Sequence, residues 1–312
     1  MEETRSLSLV TCGGTIAMAT GTDGVLRPGD SEGVAALVRG LAPGRIVESS
    51  AGAIDSAQAT TQTWAKILMA IREAVRCNPG SPVLVTHGTD TLAWSAGMAQ
   101  AAGPWPVPVV FVGAMVPAGE SGSDAERNVA AAVAVAAQAD PGVWAVFAQG
   151  DDVDVFQGGF FRKAHLSGRT FHGAPDRFGS LVGGSLLVEV DQRAVPMMVA
   201  DDTFSTAVFY LQAHPVVDRV VDAIDIGAHH FQSVVVSLYP AATCPSSMIG
   251  FARQCMDNGV AVFACGDSPV DEGGAYESLG LLADAGARLC LNSTPELLLP
   301  AVCGGWGGGV SL

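Results

Sequence analysis

The feature that most constrains the fold of this chain is a set of short runs that are apolar at nearly every position and do not alternate. Leu7–Thr11, Val83–Thr86, Val107–Val112 and Val143–Phe147 read this way. A strand of that pattern is covered on both faces, as in a parallel sheet layered between helices. Helical segments at Thr61–Cys77, Leu92–Ala102 and Ala125–Gln138 separate the runs, with a shorter strand at Ile46–Glu48, so βαβ units are predicted. A Gly-rich loop follows the first strand to about Asp30. Between Gln149 and His214 the pattern gives way to Gly-rich pieces and β-like runs such as Ser185–Val190, read as a β-hairpin region and a linker. From Val216 the alternation resumes, with strands at Ser233–Leu238, Val260–Ala264 and Arg288–Leu291 and helices at Ser246–Asn258, Ala275–Ala285 and Pro295–Ala301. The predicted fold is α/β: two doubly wound domains, a larger one over residues 1–205 and a smaller one over 216–312, ending in a flexible CGGWGGGVSL tail.

Charge narrows the partners. Lys and Arg number 16 against 31 Asp and Glu, and a net charge of −15 repels nucleic acid and anionic membrane surfaces. The opening MEETRSLSLV has no basic segment ahead of an apolar stretch, and the Val129–Ala137 run falls short of the roughly 18–20 residues of a membrane helix. A cytoplasmic protein is expected. Seven scattered cysteines, with no CxxC, fit neither a disulfide framework nor a zinc site and read as free, mostly buried thiols.

Ligands of doubly wound sheets bind beyond the carboxyl ends of the strands, which directs attention to two loops. Thr11-Cys12-Gly13-Gly14-Thr15-Ile16-Ala17 places a hydroxyl directly after two glycines. Thr86-His87-Gly88-Thr89-Asp90-Thr91-Leu92 places a hydroxyl and a carboxylate at a helix start. Neither GxGxxG nor GxxxxGK[ST] occurs, which argues against a phosphate cradle, and no GxSxG elbow occurs. Thr89 or Asp90 is equally suited to cap the following helix, a role worth about 1 kcal/mol. A hydroxyl nucleophile needs a base, and there are two lysines: Lys66 on a helix face that reads as solvated, and Lys163 in the Gly-rich FQGGFFRKAHLSGR stretch. His87 reads as packing or holding its loop, and Cys12 as a buried thiol. Adjacent His229 and His230 point apart on a regular element and are unsuited to metal ligation. Asp151, Asp152 and Asp154 read as a solvated turn.

Taken together, CGGTIA at Cys12–Ala17 and THGTDTL at Thr86–Leu92 resemble the paired signatures of the bacterial-type L-asparaginase family, which includes glutaminase-asparaginases. The resemblance continues through DSAQATTQTW (Asp55–Trp64), VGAMVP (Val112–Pro117), SDAERN (Ser123–Asn128) and the Lys163 segment with its downstream Ala174-Pro175. It implies a larger N-terminal and a smaller C-terminal α/β domain, assembled as a homodimer or homotetramer, acting on a small amide without cofactor or metal. By the same resemblance Thr15 is the nucleophile that forms an acyl-enzyme, and Thr89, Lys163 and Asp90 form a second set that activates a hydroxyl or water. Asp90 also receives the substrate's α-ammonium, Ser56 lies near its α-carboxylate, and Gly14, Gly88 and Ala114 complete the substrate-binding set. Backbone N–H groups at Gly88–Thr89 suit the developing oxyanion.

Three departures stand out. The loop Gly21–Asp30 lacks the tyrosine common after GGTIA, and the first tyrosine of the chain is Tyr210. Ala57 replaces the polar residue often found after Ser56, and Val116 stands where arginine is frequent. Hydrolysis of the side-chain amide of L-asparagine or a close relative is the leading expectation. Its alternatives are a specialised amidohydrolase for a larger or modified amide, and a non-catalytic amino-acid-binding protein on the same scaffold.

Overall fold

The computed structural model describes residues 6–23, 26–29, 31–42, 44–166, 169–173, 177–191, 199, 202–266 and 276–307. The chain divides into two compact units, Met1–Met197 and Met198–Leu312.

In the first unit β1 (Leu7–Gly13) leads through a 3-10 turn at Thr15–Ala17 into a small hairpin, β2 (Met18–Thr20) and β3 (Leu26–Pro28), and on to α1 (Glu32–Leu41). β4 (Ile46–Ile54), α2 (Thr61–Cys77), β5 (Val83–Thr86), α3 (Leu92–Ala101), β6 (Pro108–Val112), α4 (Ala125–Ala136) and β7 (Gly142–Gln149) then alternate. β8 (Asp152–Gln157), β9 (Phe161–Leu166), β10 (Arg169–Gly173), β11 (Gly179–Val182) and β12 (Ser185–Val188) complete the unit. Eight strands form one sheet in the order β12-β11-β8-β7-β6-β5-β1-β4. The five from β7 to β4 are mutually parallel and the last three are added antiparallel. Strand order reverses around β1, so the carboxyl ends of β1, β4, β5 and β6 share one edge at the switch point.

The burial follows the sequence pattern. β1 and β5 are buried at every position, as continuous apolar strands require. α2 turns Ile67, Leu68, Ile71 and Ala74 inward, while α3, apolar on all sides, is buried nearly throughout.

The second unit holds a parallel sheet of β13 (Val208–Gln212), β14 (Ser233–Ser237), β15 (Ala261–Cys265) and β16 (Arg288–Cys290), paired in that order. α5 (Val217–Asp222), α6 (Ile226–His229), α7 (Ser246–Asp257), α8 (Glu277–Asp284) and α9 (Pro295–Cys303) connect and cover it. One apolar cluster centres on Val234, Val236, Phe251 and Leu282, and another on Val235, Phe263, Leu298 and Val302, so both sheet faces are packed.

The α/β layering expected from the sequence is present, with four local corrections. α1 lies just beyond the expected Gly-rich loop, in a segment to which no element was assigned; its two glycines mask a stripe of Val34, Ala35 and Val38 that is buried. The region after Gln149 is no simple hairpin and linker but five strands, three of which extend the main sheet. The second sheet starts at Val208, ahead of the resumption read from Val216. The first part of the expected tail is anchored: Cys303 ends α9, Trp306 N–H donates to Ala301 O (3.0 Å), and the Trp306 ring lies 5.5 Å from that of Phe263. Residues 308–312, the rest of that tail, lie outside the described residues, as does Ala174-Pro175. None of the seven cysteines forms a disulfide, and only Cys77 is exposed. No helix among the described residues is long and apolar enough to cross a membrane.

Candidate active site

Three loops meet in close contact at the carboxyl edge of the first sheet. Gly13 and Gly14, after β1, both adopt left-handed conformations, with φ of 73° and 81°. A Cβ on Gly14 would fall on the backbone of Gly88, and one on Gly88 would fall on the Ser56 side chain. Only glycine permits both the dihedral and the approach. Thr15 opens the 3-10 turn beyond this contact and is half-buried. Ser56, buried, follows β4; Asp55 accepts from Ala57 N–H (3.0 Å) and the Thr91 hydroxyl donates to Ser56 O (2.9 Å), which fixes the turn. Gly14→Ala is expected to cost at least about 2 kcal/mol by strain and collision, measured as a drop in the denaturation midpoint.

Thr89 and Asp90 do not cap α3. Thr91 occupies the cap position, and its hydroxyl is committed to Ser56. The two residues thus released meet Lys163 on β9, whose Nζ donates to Thr89 Oγ1 (2.7 Å) and to Asp90 Oδ1 (2.7 Å). Exposure grades outward across the set: Thr89 is 4% exposed, the Lys163 side chain 19% and the Asp90 side chain 55%. A buried hydroxyl thus sits against the lysine amine, while the carboxylate keeps an open face. The β9–β10 hairpin is seated by stacking of Phe156 on Phe161 (5.1 Å) and edge contacts of Phe171 with Phe161 (5.6 Å) and Phe147 (4.9 Å).

The structure also shows what holds this edge together, which sequence reasoning did not assign. Asp124 accepts from the N–H groups of Met115 (3.0 Å) and Val116 (2.9 Å). Asn128 donates to Gly113 O (2.9 Å) and accepts from Ala148 N–H (2.7 Å), tying the loop after β6 to β7. Ala114 is fully buried within that loop. The only signal was the SDAERN segment itself.

His87 holds its loop, as expected. Nδ1 donates to Gly88 O (2.7 Å) and Nε2 accepts from the Ser95 hydroxyl (2.9 Å), a pattern that a neutral ring satisfies completely. Burial lowers the imidazole from 6.5 to about 4, opposed by the bond to Gly88 O. The unfolded chain therefore gains a proton as pH falls through about 6.5, while the folded chain gains it only near 4, so stability is lost between those values on acidification. The loss is on the order of 3 kcal/mol. In His87→Gln that part of the pH dependence of the melting temperature is expected to vanish.

Other residues singled out by sequence take structural places. Cys12 is buried and its thiol is pushed up by desolvation, whereas Lys66 is solvated on α2. Asp151 and Asp152 are exposed, but Asp154 is not the solvated residue expected. Its side chain is 3% exposed and lies between the guanidinium groups of Arg169 and Arg177 (2.6 Å to the latter), on a strand buried at every position from Val153 to Gln157. His230 ends α6 in a left-handed conformation, and no cluster of three metal-binding side chains occurs among the described residues. In the tyrosine-free loop Arg27 pairs with Asp23 (2.6 Å), Ala57 is exposed, and Tyr210 lies on β13 of the second unit.

Comparison with known proteins gives a consistent result. Residues 6–181 match the family model described as "Asparaginase, N-terminal". The chain is 37% identical over 95 residues to an L-asparaginase of Thermococcus kodakarensis, covering 30% of this chain and 28% of that protein. It is 32% identical over 178 residues to a glutamyl-tRNA(Gln) amidotransferase component of Haloquadratum walsbyi, covering 54% of this chain and 39% of that one. These matches thus span well under half the length of the relatives. Among solved structures, the thermostable L-asparaginase of T. kodakarensis superposes with a TM-score of 0.77 at 22% identity, over 96% of this chain and 92% of the other. A probable cytoplasmic L-asparaginase of Campylobacter jejuni gives 0.71 at 19% identity, over 96% and 94%. With its family model matched over more than half its length and the same fold throughout, the chain belongs to the asparaginase family of amidohydrolases.

Proposed function

We propose that the protein hydrolyses the side-chain amide of L-asparagine or a close relative to the acid and ammonia. The observation that carries this reading is the Lys163 ammonium bonded at once to Thr89 Oγ1 and Asp90 Oδ1 (both 2.7 Å), at the sheet edge where Gly14, Gly88 and Ser56 touch. Thr15 Oγ adds to the amide carbon, the oxyanion faces the N–H groups of Gly88–Thr89, and the nitrogen leaves as ammonia once it has taken up the hydroxyl proton. A water activated beside Thr89 and Lys163 then adds to the resulting ester, releasing the acid and restoring Thr15. Asp90 pairs with the substrate's α-ammonium and Ser56 receives its α-carboxylate; Gly14 and Ala114 line the rest. No cofactor takes part.

The experiment is ammonia release from L-asparagine, D-asparagine, L-glutamine and asparaginyl derivatives. Turnover of L-asparagine is the expected result. A second reading, a larger or modified amide, draws on the exposed Ala57 and the tyrosine-free loop; turnover of derivatives in place of the free amino acid would select it. Aspartate binding with silence across the panel would select a non-catalytic binder. The same proposal includes a cytoplasmic homodimer or homotetramer with no nucleic-acid or membrane partner, which light scattering on the eluting protein tests for assembly.

A further inference from the structure

The hairpin that carries Lys163 is gripped on its other strand by one amide side chain. Gln149, buried at the end of β7, accepts at Oε1 from the N–H groups of Thr170 (2.6 Å) and Phe171 (2.7 Å). Its Nε2 donates to Phe171 O (3.0 Å) and to Asp154 Oδ2 (2.5 Å). Phe171 is the residue paired directly with Lys163 across the hairpin. Asp154 accepts from Arg169 and Arg177 on either side, and the N–H groups of β10 donate to Gln149, so the NH2 end of the amide faces Asp154 and the oxygen faces β10.

The grip falls where the hairpin needs it. The β9/β10 register slips between Arg169 and Phe171, and at such an irregularity the ladder leaves backbone groups unpaired. Gln149 supplies their partners from outside the hairpin. The aromatic cluster around Phe171 keeps the hairpin docked, but apolar contacts are non-directional and do not set its height along the sheet. We propose that Gln149 is a positioning residue for Lys163: by fixing Phe171, it fixes the cross-strand partner and thereby the point at which Nζ meets Thr89 and Asp90. Only the kinetic consequence rests on the amide-hydrolysis reading.

The two lysines make the test direct. In protein labelled with 13C at lysine Cε, Lys66, exposed on α2, is an internal reference for Lys163. In Gln149→Leu the Lys163 resonance is expected to move towards that of Lys66, which stays in place, and kcat for the amide to fall on the order of 10²-fold, as for a reacting group displaced by about 1 Å. Gln149→Asn keeps every polar group but retracts it by one methylene, and serves if the leucine variant does not fold; a shift of the same sign and smaller size is expected. A folded Gln149 variant whose Lys163 resonance matches the wild type overturns the proposal. If the wild type hydrolyses no amide yet the resonance moves in the variant, the positioning role stands and the functional reading falls.

Discussion

Thr15→Ala is expected to reduce amide hydrolysis on the order of 10⁴–10⁶-fold, with the folded structure retained. Loss of a hydroxyl nucleophile leaves only binding and the oxyanion donors, and in enzymes of this kind the residual rate is of that order. The variant should fold because Thr15 stands at the start of a 3-10 turn whose conformation is set by Gly14 and by the Ala17 N–H to Gly14 O bond (2.9 Å), neither of which uses its side chain. Ammonia release and a thermal melt on the same preparation separate the two effects. Activity within tenfold of the wild type would remove Thr15 from the nucleophile's role and shift attention to the buried Thr89.

Lys163→Met should lower kcat on the order of 10²–10⁴-fold, the range of a positioned proton-transfer group. Stability should change by only about 0–1 kcal/mol, because the Asp90 partner is more than half exposed and the pair is solvent-screened. Thr89→Val removes the hydroxyl at nearly constant volume and is expected to have a similar kinetic effect. If the two act as one hydrogen-bonded unit, the double variant loses little more than either single one. Full activity in Lys163→Met and Thr89→Val would sink the proposed mechanism; strictly multiplicative losses would show that they act separately.

The parts of the fold that were legible are those in which burial leaves a repeating mark. Helix α2 is bounded at Thr61–Cys77 by sequence and structure alike, because seventeen residues of amphipathic pattern end at Asn78 and a Pro-Gly pair. Helix α1 escapes a reading of the sequence because ten residues with two glycines carry too few periods to stand out. Strands β8 to β12 are blurred for another reason. β8, β11 and β12 join the sheet antiparallel at its edge while β9 and β10 pair with each other apart from it, so no single period runs through the region, and partners such as Gly179 and Val155 lie well apart in the chain. Asp154 misleads in the same way: a run of three nearby acids resembles a solvated turn until Arg169 and Arg177, distant in sequence, close around one of them.

For the candidate site, local chemistry was readable and its assembly was not. The sequence by itself determined a parallel α/β core, the loops after β1 and β5 with Thr15, Thr89 and Asp90 as candidates, and Lys163 as a candidate base, because strand periodicity and loop composition are local properties, whereas Ser56 entered only through the family resemblance. Tertiary structure alone decided that Thr89 and Asp90 turn to Lys163 and leave the cap position to Thr91, since that choice depends on a side chain 74 residues away from Thr89. It also decided that Gly14 and Gly88 meet backbone to backbone, and that Gln149 grips the strand facing Lys163. Hydrogen bonds and close approaches of this kind act over a few ångströms between residues far apart in the chain, and sequence order carries no record of that proximity until the sheet brings its strand ends to one edge.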